Sequence, residues 1–503
     1  MSHTTPRPRA IATWALALGL VAALAACSSG SAGSSTTTTG PDSSAGAPKA
    51  VRSTVFELGQ GGVDTYRIPA LAVTPDHTIV AIAEARTLSP ADGDPHSLVA
   101  RRSTDGGRTW SKVTELAAAV AATTCFPSDP VTIVPESGSA MGDVIVVYRP
   151  CRSADGLASV RSTDGGATWS EPAALSVDLG TSLTQAQYEG MRPGPGNGVQ
   201  LQEPSGRLAF VADSNMAAGT STVLGLFLSD DGGETWKVGA TRSSGDGEER
   251  PDESALAVAS DGNVVISSRG AAPQRLAYLA SPDGEEFLPF ADGSTVKVST
   301  GLSAPDVEGS LLTLDDGTVV LATPSDPAIR RGLRLYELDG EARWKAGRMV
   351  EAGGAAYSSL ARYDDDTFLV LAEVGNGYPY AQIDLIPITG GATGKADPLA
   401  TADPRRFAGG RALVDDVSYP ITRWCIADPV MELKGGTVAI DISRGLEAVE
   451  VDAKVEDFHG KPLELTGTVP VTVDVRLYRG PLQGSDGKEH QVDLVLGYGT
   501  SCG

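Results

Sequence analysis

In the stretch Asp64 to Val73, DTYRIPALAV, one residue is out of character. Tyr66, Ile68 and Ala70 alternate with Thr65, Arg67 and Pro69, the pattern of a strand. An arginine is almost never fully buried without a partner, so Arg67 calls for an anion. The cysteines are a second source of chemistry: Cys27 stands apart, and Cys125, Cys151, Cys425 and Cys502 form an even remainder. In an exported chain these four imply two disulfides in one of three connectivities, with the close pairs Cys125 with Cys151 and Cys425 with Cys502 the natural choice. A recurrent Asp-Gly turn is a third. A calcium loop of the EF-hand type needs several more oxygen ligands and a distal glutamate at fixed spacing. No copy of the turn supplies them, so no metal is expected.

The elements that must position such residues are short strands. The chain has 503 residues, room for two or three domains or for one large all-β domain with additions. Its 59 glycines, 32 prolines and 5% aromatic content suit many strands joined by turns. A net charge of −23 argues against nucleic acid as a partner, because counterion release needs clustered Lys and Arg. At the N-terminus, Arg7 and Arg9 precede an apolar run from Ile11 to Ala26, short for a membrane span and suited to a cleaved export signal. The run ends in Leu24-Ala25-Ala26-Cys27, which resembles a bacterial lipobox and makes Cys27 the expected lipidated residue. From Ser28 to Ala50 the composition is Ser, Thr, Gly, Ala and Pro, too poor in apolar mass to offset the entropy of ordering. The expected organisation is a signal over 1–26, a tether over 27–50, a first folded domain over 51–390, a linker over 391–411 and a small β domain over 412–503. The protein is expected to be exported and either lipid-anchored at the outer face of a bacterial membrane or secreted. Membrane contact is then through the N-terminal lipid alone, and a monomer is expected.

Repeats set the architecture. STDGGRTW begins at Ser103, STDGGATW at Ser162 and SDDGGETW at Ser229, with worn copies at Ser281 (SPDGEEF) and Glu337 (ELDGEARW). The starts are 59, 67, 52 and 56 residues apart, about one four-stranded propeller blade. In such a turn the Asp bonds back to its own backbone, the glycines take positive φ, and Thr and Trp resume a strand. The turn is a structural part and is silent about chemistry.

STDGGxTW resembles the Asp-box, and YRIP at Tyr66 to Pro69 resembles the arginine-bearing motif near the start of sialidases. The resemblance runs from about Val51 to about Ile388. It implies an all-β, six-bladed propeller carrying an arginine triad, an aspartate acid/base and a tyrosine/glutamate nucleophile pair, with no cofactor. Arg67 fits the first arginine. Asp92, nine residues before Arg101, fits the acid/base, with Asp94 competing. PDESALAVASDGNVVISSRG points to Glu253 and Arg269 on either side of a hairpin. SLLTLDDGTVVLATPSDPAIRRGL points to Arg330, with Arg331 as the alternative. GGAAYSSLARYDDDTFLVLAEVG gives Tyr357 and, sixteen residues on, Glu373, which fits the glutamate that steadies the first arginine. RPGPGNGVQL at Arg192 to Leu201 resembles the family's Gly-Pro-Gly segment.

The chemistry is coherent on physical grounds. A sialic acid carries a carboxylate on its anomeric carbon, and three converging arginines would grip it through forked, charge-assisted bonds. A carboxylate nucleophile would be repelled there, whereas tyrosine is neutral until a base takes its proton. Glu253 would be that base, and Asp92 would protonate the leaving oxygen, a role that needs a pKa raised by partial burial. The expected substrate is a terminal sialic acid on a glycan. Two rivals share the same residues, an exo-glycosidase for the deaminated sugar and transglycosylation in place of hydrolysis. A third, a propeller that binds sialoglycans without cleaving them, would be marked by loss of Tyr357, Glu253 or Asp92, and the sequence keeps all three.

After about Gly390 a linker-like stretch leads to strands such as GGTVAIDI and VPVTVDVRLY. The alternation of VTVDVRLY implies a half-buried antiparallel strand, and about a hundred residues with Cys425 and Cys502 near the ends suit a small β-sandwich. Its aromatics are few (Tyr419, Trp424, Phe458, Tyr478, Tyr498), which weighs against carbohydrate binding by that part.

Overall fold

The computed structural model describes residues 47–119, 126–150, 156–214, 222–244, 250–270, 273–327, 329–375 and 379–392, and between 410 and 496 the strands given below. The signal, residues 27–46 of the expected tether including Cys27, and Cys125, Cys151 and Cys502 lie outside the described residues, as does most of the expected linker. The last tether residues, 47–50, are described and pack on the fold, with Ala50 buried and the Pro48 carbonyl accepting from the Tyr363 hydroxyl. Of the disulfide cysteines only Cys425 falls within them, where its backbone ends a strand.

Residues from Ser53 to Thr389 build six blades of antiparallel strands. Blade one is Thr65–Val73, Ile79–Arg86, His96–Ser103 and Thr114–Ala117. Blade two is Ser128–Ile133, Val144–Arg149, Ala158–Ser162 and Ala173–Ala174. Blade three has a broken inner strand, Met191–Pro193 then Val199–Gln200, followed by Leu208–Ser214, Val223–Ser229 and Trp236–Ser243. Within the break, Gly196–Asn197 pairs in parallel with blade two. Blade four is Asp252–Val258, Val264–Arg269, Arg275–Ala280 and Phe287–Leu288. Blades five and six share the 21-residue strand Trp344–Asp364. Its first half completes Ser310–Thr313, Val319–Pro324 and Arg331–Leu338, and its second half is the inner strand beside Thr367–Gly375 and Gln382–Thr389. Ser53–Glu57 then closes blade six, so the first and last strands of the propeller share one sheet. This joins the two ends of the ring of blades, each of which keeps only short edges.

Cohesion comes from apolar faces that meet between neighbouring blades. Val80 and Ile82 of blade one pack with Val144 and Val146 of blade two, and Val55, Phe56, Leu371 and Leu385 close blade six onto blade one. The Asp-boxes sit between third and fourth strands. In the first, Asp105 Oδ1 accepts from the Thr109 amide at 3.0 Å and Oδ2 from the Thr109 hydroxyl at 2.6 Å, while Gly106 and Gly107 take φ of 74° and 85°. The same bonds recur at Asp164 and Asp231. Trp110, Trp169 and Trp236 each reach an inter-blade cluster, as a Trp packing between sheets should.

The C-terminal part differs from the expected sandwich. Gly410–Val414, Val417–Cys425, Asp428–Leu433, Gly436–Asp441, Ala448–Glu456, Pro462–Pro470, Leu477–Gly484 and Glu489–Leu496 form a closed antiparallel barrel. Each strand pairs with the next, and the first pairs with the last through Gly410 opposite Leu496. Alternation along a strand reports one buried face and is the same in a barrel and a sandwich.

Candidate active site

The site lies where inner strands begin and second strands end. Antiparallel pairing brings these two ends to one face: Arg67 faces Glu84, Ser128 faces Arg149, Arg192 faces Asp213, and Asp252 faces Arg269. Inner strands of four blades are bulged there, between Arg67 and Ala70, Ser128 and Val131, Asp252 and Ala255, and Ala355 and Ser358. At these bulges Ile68, Asp129 and Glu253 take φ of 55°, 56° and 39°. Positive φ at a residue with a Cβ is strained, and for a β-branched residue such as isoleucine it is an outlier. The bulges break the alternation expected along Tyr66 to Ala70 and re-aim side chains toward the axis, as bulges beside active sites do.

All seven residues expected at the site meet there. Arg67, 4% exposed, donates from Nε to Glu373 Oε1 at 2.9 Å and from Nη2 to Oε2 at 3.4 Å. Glu373 also accepts the amides of Ile68 at 2.8 Å and Tyr357 at 3.2 Å, so one carboxylate fixes the first arginine and the tyrosine strand together. Glu373 is the anion that Arg67 required, and the pair is satisfied enough to bear its burial. The Tyr357 hydroxyl donates to Glu253 Oε1 in a short bond. Arg269 Nη1 donates to Glu253 Oε2 at 2.6 Å and to the Tyr357 hydroxyl at 3.2 Å. Arg67 and Arg330 stand over the Tyr357 ring, their Cζ atoms 5.1 and 5.4 Å from its centroid. Arg330 itself leaves the connection after Val319–Pro324 and donates to the Tyr380 hydroxyl at 2.8 Å. Arg331, the alternative, begins the next strand and donates to the carbonyl of Ala352.

Burial and the Glu253 charge hold the Tyr357 phenol well above its ordinary pKa against the pull of Arg330, Arg269 and Arg67. The resting tyrosine is therefore neutral with a carboxylate already on its hydroxyl. Asp92 accepts from Arg86 Nη1 at 2.7 Å and lies 3.8 Å from Arg67 Nη1. Asp94 turns instead to the Ser89 hydroxyl. The raised pKa expected of Asp92 is not found: desolvation pushes it up, but Arg86 and Arg67 pull harder and leave it below its usual value. Its side chain is 89% exposed, so solvent screens part of that pull.

A cavity of about 270 Å³ opens beside Asp92, Glu253 and Tyr357, lined also by Glu84, Arg86, His96, Asp129 and Arg192. None of these five was singled out for a role from sequence. His96 begins a strand and is 2% exposed. Arg192 joins Asp213 at 3.3 Å and makes a short bond to Asp252. Burial pushes both Asp129 and Asp213 up to about 7 against the charge of Arg192. A usable signal existed: Arg67, Asp129 and Arg192 all lie within two residues of a following proline at the start of a strand. Among the described residues, no cluster of three or more His, Cys, Asp or Glu side chains could hold a metal ion.

Fold and site together define an Asp-box β-propeller of the sialidase fold. The Hadza microbial sialidase Hz136 superposes with a TM-score of 0.54 at 21% identity, over 67% of this chain and 68% of that one. Residues 128–371 match the BNR repeat-like domain family and residues 101–112 the BNR/Asp-box repeat. The particular sequences to which the chain is similar are sialidases. The sialidase of Micromonospora viridifaciens is 27% identical over 416 residues, 76% of this chain and 60% of that protein. Sialidase-4 of Homo sapiens is 30% identical over 274 residues, 48% of this chain and 54% of that protein. The chain thus spans between half and two thirds of the length of these relatives.

Proposed function

We propose that the chain is a retaining exo-sialidase that hydrolyses terminal α-linked sialic acid through a tyrosyl-enzyme intermediate. The observation that carries this reading is the Tyr357 hydroxyl bonded to the Glu253 carboxylate inside a ring of three arginines. Arg67, Arg269 and Arg330 bind the substrate carboxylate, which seats the anomeric carbon against the tyrosine oxygen. Glu253 takes the phenolic proton as that oxygen attacks, and the arginines stabilise the charge that develops on it. Asp92 gives its proton to the leaving glycosidic oxygen. In the second step Asp92 takes a proton from water, which attacks the anomeric carbon and releases Tyr357. Similarity to sialidases supports the substrate class.

Release of fluorophore from a methylumbelliferyl sialoside tests the reading. The parent is expected to turn over, Tyr357→Phe to lose several orders of magnitude, and Asp92→Ala to lose turnover chiefly on substrates with poor leaving groups. Cleavage of the deaminated analogue alone would keep the mechanism and change the sugar. Binding of sialic acid by a folded parent that cleaves neither would make the arginines a recognition device. Export and lipidation at Cys27 rest on the sequence alone, and incorporation of labelled palmitate that Cys27→Ala abolishes is the expected outcome.

A further inference from the structure

Three consecutive residues outside every catalytic motif, Asp306, Val307 and Glu308, touch separate parts of the site at once. They lead into the inner strand of blade five, Ser310–Thr313. The Asp306 carboxylate accepts from Arg269 Nε at 2.5 Å, and the Asp306 carbonyl accepts from Arg330 Nη2 at 2.9 Å. The Val307 carbonyl accepts from the buried Arg275 at 2.9 Å, and its side chain packs with Ile68, Ala356 and Tyr357. Glu308, 1% exposed, accepts the amide of Ser358 at 3.0 Å and so pins the peptide that follows Tyr357.

Resting on the sialidase reading, we propose that Asp306 is a positioning residue: it orients the Arg269 guanidinium, and this segment ties that orientation to Arg330 and to the Tyr357 strand. The guanidinium is planar, so holding Nε fixes where both terminal nitrogens point. Glu253 and the Tyr357 hydroxyl share Nη1, at 2.6 and 3.2 Å, and Asp306 holds Nε from the other side. Without Asp306 the guanidinium has one carboxylate anchor and can turn about it, which loosens its contact with the attacking oxygen. The bond to Arg269 keeps Asp306 below the usual carboxylate range and so favours its ionised form. A carboxylate beside an anion-binding arginine weakens the pull on an anionic ligand. Its geometric effect must therefore outweigh that electrostatic cost. The Asp306 side chain is 63% exposed, so its loss leaves the core intact.

The test compares full-length parent, Asp306→Ala and Asp306→Asn in sialoside kinetics, in calorimetric binding of N-acetylneuraminic acid and in thermal unfolding. With unfolding unchanged, Asp306→Ala is expected to lower kcat by about tenfold to a hundredfold, the range for losing a bond to a charged group. Its KM is expected to stay level or fall, because a repelling charge has gone. Asp306→Asn keeps an acceptor for Nε and is expected to recover kcat to within about threefold of the parent. A kcat within about twofold of the parent in Asp306→Ala, or equal losses in both variants, overturns the inference. A parent that neither binds the sugar acid nor cleaves the sialoside overturns the sialidase reading, and this inference with it.

Discussion

In the proposed mechanism Asp92 has to hold a proton to protonate a leaving group, yet Arg86 and Arg67 favour its carboxylate form against the pull of desolvation. A bound substrate carboxylate engages Arg67 and cancels part of that field, so the Asp92 pKa rises in the complex. Activity that needs the protonated acid is lost as pH rises through its pKa. The falling limb of kcat/KM, which reports the free enzyme, is therefore expected at lower pH than that of kcat. Coincident limbs in the two profiles would mean that substrate does not change the field on Asp92. Asp213 makes the opposite case for stability. Burial raises it to about 7, against a bond from Arg192 and with Asp252 adding to the rise. An acid whose folded pKa is raised contributes stability in full below its unfolded value of about 4 and loses it as pH climbs through the folded one. Asp213→Asn is therefore expected to gain melting temperature relative to the parent as pH goes from about 4 to about 7, and to keep the gain above that. A melting-temperature difference that does not rise over this range would show that the pair with Arg192 outweighs burial. Seven site residues were legible because each lies in a motif with chemical punctuation of its own, such as YRIP or the Tyr357 segment. Arg86 and Asp306 were not, because an isolated charge beside a turn looks in sequence like any solvated surface residue, and Asp129 and Arg192 share with Arg67 only the nearby proline, a weaker signal than a whole motif.

The elements deliver those side chains through backbone approaches that tolerate no excess. Gly194, inside RPGPGNG, lies so close to Ser254 that a Cβ there would meet the Ser254 carbonyl oxygen at 1.7 Å. Ser254 follows Glu253, so the broken inner strand of blade three is the wall against which the proposed base is set. Gly194→Ala is expected to cost about 1–3 kcal/mol of stability as a backbone overpacking, and to lower kcat beyond what the lost folded fraction explains. Thermal unfolding and kcat at a temperature where the variant is fully folded separate these effects. An unchanged kcat in that folded fraction would show that Glu253 takes its place without the wall. Hairpins and Asp-boxes could be read from sequence because turn chemistry is local: ASDGN does join Asp252–Val258 to Val264–Arg269. The bulges could not, since positive φ at Ile68 and Glu253 is imposed by the blade and has no residue signature. The sandwich expected at the C-terminus became a barrel for a related reason, because closure depends on how Gly410–Val414 meets Glu489–Leu496, far apart in the chain.

Charge at the scale of the whole molecule opposes charge at the site. The chain carries −23, while the proposed substrate is an anion that must reach Arg67, Arg269 and Arg330. Among these arginines, Arg67 and Arg269 already face Glu373, Glu253 and Asp306 at contact distance, so the attractive field of the site is short-ranged. The excess of acidic residues acts at longer reach and slows encounter. At low salt, with a Debye length of about 30 Å at 0.01 M, an approaching sialoside senses the whole negative surface. At about 0.1 M the length falls to about 10 Å and the pocket dominates. The expected outcome is a kcat/KM that rises over this range while kcat stays level, because salt acts on approach and leaves the desolvated chemistry alone. Measuring both constants against sodium chloride at fixed pH checks it. A kcat/KM that falls steadily with salt would mean that the arginines project further than their paired carboxylates allow, and that the acidic surface lies away from the path of the substrate.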